Sequence, residues 1–115
     1  MKKINLLGSG GSIGTQTADV CRRHGFEIHS AAVKSNYKKL AEQAREFNIK
    51  RVCIFDEKYY KPLKAELFDT DTEILTGIDG LCELAADKSA DITVNAVVGM
   101  VGLRPTIAAL ESGMQ

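Results

Sequence analysis

Short apolar runs alternate along the chain with segments of helical periodicity. The apolar runs have the length of β-strands and cover residues 4–7, 26–33, 51–55, 72–75 and 92–98. In the segments between them, apolar residues recur every three or four positions, which is typical of amphipathic helices. Strands separated by helices of about ten residues predict βαβ units and a parallel sheet with right-handed crossovers.

The predicted helices cover residues 12–23, 37–47, 57–67, 78–86 and 103–111. The second has the clearest apolar face, formed by Tyr37, Leu40, Ala41, Ala44 and Phe47. Asp56 is the expected N-cap of the third helix, and Pro105 falls in the first turn of the last. The valine-rich run 92–98 predicts a central strand. We therefore expect an α/β fold with a Rossmann-like parallel sheet of about five strands and helices on both faces.

Composition limits the classes of partner. The chain has 115 residues, enough for one domain spanning 1–115, and its 15 Lys and Arg balance 15 Asp and Glu. No basic stripe or long apolar segment is present, so we expect neither nucleic acid nor a membrane as a partner. The three cysteines, Cys21, Cys53 and Cys82, form no CxxC pair and are interpreted as buried residues in a reducing cytoplasm.

Gly8, Gly11 and Gly14 follow a strand, precede a helix and have GxxGxxG spacing. Such a turn lets a pyrophosphate approach the backbone at the positive end of a helix dipole, which favours a dinucleotide over a glycine-rich turn without a ligand. The predicted phosphate-binding residues are Gly8, Gly10, Gly11, Ser12 and Ile13. Ser12 could cap the helix or bind a phosphate, and the pattern leaves both possibilities open.

The residues after the second strand favour NADP(H) over NAD(H). NAD-binding sites place a carboxylate there to hold the ribose 2′-hydroxyl, whereas this chain has Lys34, Ser35 and Asn36. A lysine and neutral donors suit a 2′-phosphate, which a carboxylate would repel. The alternative is a solvated loop lysine beside a turn asparagine.

The glycine turn also carries a resemblance to a known family. Residues 8–17 read GSGGSIGTQT, and the turn of 1-deoxy-D-xylulose 5-phosphate reductoisomerases reads GSTGSIGTQT, so Gly10 replaces a threonine. Residues 95–99, NAVVG, resemble a second family segment. The family has Gly-Lys-Asn or Gly-Arg-Asn after the second strand. Asn36 matches this pattern, but the basic residue of this chain, Lys34, is displaced by one position.

The resemblance implies the NADPH-binding amino-terminal part of a longer, homodimeric enzyme. The family isomerises and reduces 1-deoxy-D-xylulose 5-phosphate, a sugar phosphate, to 2-C-methyl-D-erythritol 4-phosphate in the non-mevalonate pathway of isoprenoid biosynthesis. It uses NADPH with Mg²⁺ or Mn²⁺. The family's catalytic and metal-binding residues correspond to positions beyond residue 115, so we expect a truncated domain that is inactive alone.

Two other interpretations remain open at this level. The chain could be a free-standing nucleotide-binding or redox-sensing module without catalysis, or a fold remnant without a ligand. Within the chain, the alternating acids Asp69, Asp71 and Glu73 suggest a solvated face more than a metal site. His24 and His29 have no nucleophile or ligand partner at a useful spacing.

Overall fold

A computed structural model describes residues 2–8 and 12–95. The strands are β1 Lys3–Leu7, β2 Glu27–Val33, β3 Arg51–Ile54, β4 Glu73–Thr76 and β5 Ile92–Asn95. The helices are α1 Ser12–His24, α2 Tyr37–Phe47, α3 Tyr60–Glu66 and α4 Gly77–Ala85. Every strand and helix predicted before residue 96 is confirmed, with small shifts of its ends. The predicted end of the last strand, 96–98, and the helix at 103–111 lie outside the described residues.

Helix α2 begins and ends where the sequence predicts because both ends carry capping residues. The Asn36 side chain accepts a hydrogen bond from the backbone N–H of Lys39, and Asn48 adopts the left-handed conformation with a φ of 53°. Its apolar residues Leu40, Ala41 and Ala44 are buried. Local signals and burial agree here, so the helix bounds are fixed.

The third predicted helix differs in its first turn. The Asp56 side chain accepts a hydrogen bond from the backbone N–H of Lys58, and residues Glu57–Tyr59 form a 3₁₀ turn before α3 begins at Tyr60. Pro62 explains the later start. A proline has no N–H to donate and is tolerated only in the first turn of an α-helix.

The sheet is wholly parallel in the order β4-β3-β2-β1-β5. The chain moves outward from β1 to β4 and then crosses back to place β5 on the other side of β1. Within the described residues β5 pairs with β1 alone and lies at one end of the sheet, and its central position stays a prediction. A valine-rich run reports that a strand is buried, but not how many strands pair with it.

Helices cover both faces of the sheet, as predicted. On one face α1, α2 and α3 pack over a core that includes Leu6, Leu40, Val52 and Leu63. On the other face α4 packs through Leu81 and Leu84 against Leu7, Ala32 and Cys53. None of the helices in the described ranges is long and apolar enough to cross a membrane.

Polar side chains lie beneath α4, toward the amino ends of the strands. Asn5 is fully buried; it donates to the carbonyl oxygens of Leu84 and Asp87 at 3.0 and 3.1 Å, and accepts from the Ser30 hydroxyl at 2.6 Å. The Asp87 carboxylate contacts His29 Nε2 at 3.0 Å and Arg51 Nη1 at 3.2 Å. We call Asn5, His29, Ser30, Arg51 and Asp87 the amino-edge network.

Asp87 is charged within this network although its side chain is only 9% exposed. Burial acts to raise the pKa of its carboxyl, but hydrogen bonds from the backbone N–H and hydroxyl of Ser89 and from the Arg51 guanidinium, with the nearby His29, hold the pKa below its usual value. The network ties the end of α4 to three strands. His29 is the extra residue of β2 at a break in its register with β1.

Candidate cofactor site

The carboxyl ends of β1 and β5 meet at the point where the strand order reverses. Leu7 pairs with Asn95 at this edge, and β2 continues from the other side of β1. In open parallel sheets the crevice outside the carboxyl ends at such a reversal is where ligands bind. The topology therefore selects the segment that follows Leu7, which is the glycine turn.

Gly8 directs the chain out of β1. Its φ of 90° lies in the region that side chains with a Cβ rarely adopt, and its N–H donates to the carbonyl oxygen of Ala32 at 2.7 Å. Ser12 and Ile13 are the first two residues of α1, and Gly14 is buried in the same turn. The predicted strand–turn–helix setting is thus present. The predicted phosphate-binding residues Gly10 and Gly11 lie outside the described residues.

The second predicted set follows β2 at the same edge. Lys34, Ser35 and Asn36 are all exposed, and Ala32, which accepts the Gly8 N–H, is only two residues before Lys34. Asn36 Oδ1 accepts from the Lys39 N–H at 3.3 Å, so this side chain caps α2 while its amide group still carries N–H donors. The fold therefore brings the glycine turn and the loop 34–36 to one edge.

The loop 34–36 is braced from the end of β3. Backbone N–H groups of Phe55 and Asp56 donate to the carbonyl oxygens of Val33 and Lys34, each at 2.9 Å. The ends of β2 and β3 thus continue side by side beyond the regular sheet. Sequence reasoning missed this juxtaposition, because it considered only the residues that follow β2.

An aromatic pair reinforces the same corner. The rings of Tyr37, the first residue of α2, and Tyr59 are stacked with centroids 5.8 Å apart. Lys58 Nζ lies 5.2 Å from the centroid of the Tyr59 ring and 3.8 Å from Asp56 Oδ2. The spacing of Tyr37 and Tyr59 along the chain gave no signal that their rings would stack.

Acidic and thiol groups elsewhere do not form a second candidate site. In the part of the chain that the structure describes, no three His, Cys, Asp or Glu side chains group as metal ligands. Asp69 pairs with Arg45 at 2.6 Å, and Glu73 pairs with Arg51 at 3.1 Å. A cleft beside β4 is lined by Glu57, Asp79 and Glu83 among others, and such charge opposes a phosphate ligand.

The surroundings of the cysteines are those of structural residues and not of reactive thiols. Cys21 and Cys53 are buried, and none of the three thiols is in a disulfide. Burial, with a smaller contribution from the neighbouring Cys82, raises the pKa of the Cys53 thiol to about 12, far from the range of a reactive thiolate. Cys21 and Cys53 thus agree with the interpretation of buried apolar residues, whereas Cys82 is only partly buried.

The sequence profile of the 1-deoxy-D-xylulose 5-phosphate reductoisomerase family matches residues 4–115. A reductoisomerase of that name from Agathobacter rectalis is 48% identical over 113 residues, which cover 97% of this chain and 30% of the relative. One from Lachnoclostridium phytofermentans is 44% identical over 114 residues, covering 98% of this chain and 29% of the relative. The chain thus spans about 30% of the length of the curated relatives that it matches.

Solved structures of the same name superpose closely on this fold. The Zymomonas mobilis reductoisomerase in complex with NADPH has a TM-score of 0.91 and 35% identity, covering 98% of this chain and 30% of its own. A reductoisomerase in complex with NADPH, fosmidomycin and magnesium has a TM-score of 0.93 and 35% identity, covering all of this chain and 29% of its own.

Proposed function

The chain belongs to the 1-deoxy-D-xylulose 5-phosphate reductoisomerase family, and we propose that residues 1–115 are the NADPH-binding domain of such an enzyme. The complete enzyme would convert 1-deoxy-D-xylulose 5-phosphate into 2-C-methyl-D-erythritol 4-phosphate in non-mevalonate isoprenoid biosynthesis. The observation that carries the proposal is the position of Gly8 and the loop 34–36 at one edge, beside the reversal of strand order.

The described residues support contacts to both the pyrophosphate and the 2′-phosphate of NADPH. Gly8 has a left-handed φ at the end of β1, and its N–H donates to β2. The glycines of the turn carry no Cβ and would let a pyrophosphate approach the backbone closely. The amino end of α1, which starts at Ser12, contributes the positive end of its dipole. The proposed contacts in this turn are Gly8, Gly10, Gly11, Ser12 and Ile13.

The proposed contacts to the 2′-phosphate are Lys34, Ser35 and Asn36. Lys34 would contribute a charge, and the side chains of Ser35 and Asn36 neutral donors; all three residues are exposed in the structure. Charge-assisted hydrogen bonds contribute about 1.5–3 kcal/mol each, which corresponds to about one to two decades of preference for NADPH over NADH. The lysine and the absence of an acid from this loop together set the expected preference.

NADPH, when bound, supplies the hydride that reduces the rearranged substrate. The residues of this chain hold its phosphates. The family resemblance assigns the Mg²⁺ or Mn²⁺ ligands and the sugar phosphate site to the remainder of the enzyme. It also supports a homodimer, and the free cysteines support a cytoplasmic location.

Calorimetric titration of the chain with NADPH, NADH and coenzyme A tests the proposal. We expect binding of NADPH, weaker binding of NADH and none of coenzyme A. If none of the three ligands gives a heat of binding, the proposal is contradicted and a fold remnant without a ligand is favoured. Preference for NADH over NADPH would contradict the assignment of the loop 34–36.

A chimaera tests the link to catalysis. Residues 1–115 would replace the matching segment of the Agathobacter rectalis reductoisomerase, which is 48% identical over 113 residues. We expect the chimaera to oxidise NADPH with 1-deoxy-D-xylulose 5-phosphate and Mg²⁺, and the 115-residue chain alone to show no turnover. Steady NADPH consumption by the chain alone would contradict the placement of catalysis in the remainder of the enzyme.

A further inference from the structure

A carboxylate lies beside the proposed 2′-phosphate loop, although the loop itself contains none. The backbone N–H of Asp56 donates to the carbonyl oxygen of Lys34 at 2.9 Å, and the Asp56 side chain is 35% exposed. A carboxylate this close to a phosphate dianion raises the free energy of binding by like-charge repulsion. A site that prefers NADPH therefore needs a cation that offsets Asp56.

Lys58 is placed to be that cation. The 3₁₀ turn folds the chain back so that the Lys58 backbone N–H donates to Asp56 Oδ1 at 3.3 Å, and Lys58 Nζ lies 3.8 Å from Asp56 Oδ2. The side chain is 69% exposed, so the ammonium still has N–H donors in solvent. Asp56 thus orients Lys58 without enclosing it.

The aromatic pair connects Lys58 to the loop 34–36 through a series of contacts. Lys58 Nζ lies 5.2 Å from the Tyr59 ring centroid, and the Tyr59 ring stacks on Tyr37. The backbone N–H of Tyr37 donates to the carbonyl oxygen of Ser35 at 2.8 Å. Lys58 is therefore linked to Ser35 of the loop through Tyr59 and Tyr37.

We infer that Lys58 is a second cation of the 2′-phosphate site and helps Lys34 to set the preference for NADPH over NADH. The inference rests on the proposed function. The basic residue of the loop, Lys34, is displaced by one position from the family pattern, and a second cation at Lys58 would compensate for that displacement. A lysine has three donors on a flexible stem, so Lys58 can contact Asp56 and a phosphate oxygen together.

The test uses the full 115-residue chain and measures the dissociation constants of NADPH and NADH at one fixed ionic strength. The variants are Lys58→Met, the double variant Asp56→Asn with Lys58→Met, Asp56→Asn alone, and Lys58→Arg. Lys61→Met is the matched control, because Lys61 is also exposed and lies three residues further along the chain. Far-ultraviolet circular dichroism checks that each variant keeps its helices.

We expect Lys58→Met to weaken NADPH binding roughly five- to tenfold and leave NADH binding unchanged. Lys58→Arg should keep most of the affinity for NADPH, and Lys61→Met should have no effect. The loss caused by Lys58→Met should persist in the Asp56→Asn background, because the phosphate attracts the Lys58 ammonium directly even where the Asp56 carboxylate no longer orients it.

Three results would overturn the inference. If the unaltered chain prefers NADPH and Lys58→Met keeps the same ratio of the two constants, only the role of Lys58 fails. If the loss disappears in the Asp56→Asn background, Lys58 merely neutralises Asp56 and does not contact the phosphate. If the unaltered chain binds neither nucleotide, the proposed function fails and the role of Lys58 fails with it.

Discussion

Polar side chains are buried near the amino ends of the parallel strands and exposed near the carboxyl ends. In the amino-edge network, Asn5 and Ser30 are fully buried and their side chains bond to each other and to the end of α4. At the carboxyl edge, Lys34 and Ser35 are exposed. Polar groups that are satisfied inside the protein stabilise the fold, whereas those that face solvent are available to a ligand.

This difference separates stability from binding. Truncating a buried hydrogen-bonded group leaves its partners unsatisfied, which costs more free energy than truncating an exposed lysine. We therefore expect substitutions in the amino-edge network to lower the free energy of unfolding without altering the preference between nucleotides. Substitutions in the loop 34–36 should alter that preference with smaller effects on stability.

The largest expected effect is that of Asp87→Ala. The Asp87 carboxylate is the buried acceptor shared by Arg51 and His29, and among the described residues only the exposed carboxylates of Glu73 and Glu83 remain as partners of Arg51 without it. Its removal should lower the free energy of unfolding by about 2–4 kcal/mol. Urea denaturation measures the loss, with the exposed Asp71→Ala as control. If the two variants lose the same free energy of unfolding, Asp87 in the buried network contributes no more to stability than an exposed acid.

Gly8→Ala should affect both properties. An alanine at a φ of 90° is strained, with a cost of about 1–2 kcal/mol, and the strain falls at the proposed pyrophosphate turn. Gly25→Ala is the matched control, because Gly25 has a φ of 73°, has no atom within 4 Å of an added Cβ, and follows α1 at the opposite end. The midpoint temperature of thermal unfolding should fall in both variants, and NADPH affinity should fall only for Gly8→Ala.

Asn36 sharpens the comparison because it both caps α2 and belongs to the loop. Asn36→Ala should cost about 1 kcal/mol of stability through the lost cap. Asn36→Asp keeps a capping oxygen but adds a carboxylate to the proposed 2′-phosphate site, and should lower the ratio of NADPH to NADH affinity about tenfold. If Asn36→Asp leaves the ratio of NADPH to NADH affinity unchanged, this loop does not take part in recognition of the 2′-phosphate.

The smallest effect is on the acid dependence of stability. The pKa of Asp87 is lower in the folded chain than its unfolded value of about 3.9, so its charge stabilises the fold above that pH. This contribution is lost as the pH falls through the folded pKa. Asp87→Asn should therefore flatten the fall in stability below about pH 4 in urea denaturation curves, relative to the unaltered chain. An equal slope in both would contradict the role of the charge.

The fold was predictable wherever local signals and burial agree. The helix bounds of α2 follow from Asn36, Asn48 and one apolar face, and the glycine turn follows from its place between a strand and a helix. The error in the third predicted helix has a local cause, because Pro62 prevents an α-helix from starting at residue 57. Pro62 therefore encodes the later start of α3 in the sequence itself.

The candidate site was predictable only as two separate segments. The glycine spacing and the acid-free loop 34–36 each indicate phosphate chemistry, because glycine and lysine have the conformational freedom and charge that it needs. That both lie at one edge depends on the parallel pairing of β1 with β2, which the alternation of strands and helices implies.

Long-range juxtapositions were left to the tertiary structure. The sequence by itself determined the strands, the helices and the chemistry of the proposed phosphate-binding segments, because these depend on neighbours within a few positions. Only the tertiary structure placed β5 beside β1, brought Asp87 to Arg51 and His29, set Asp56 beside Lys34, and stacked Tyr59 on Tyr37. Those contacts join residues far apart along the chain, and sheet register and packing decide them, not local propensity.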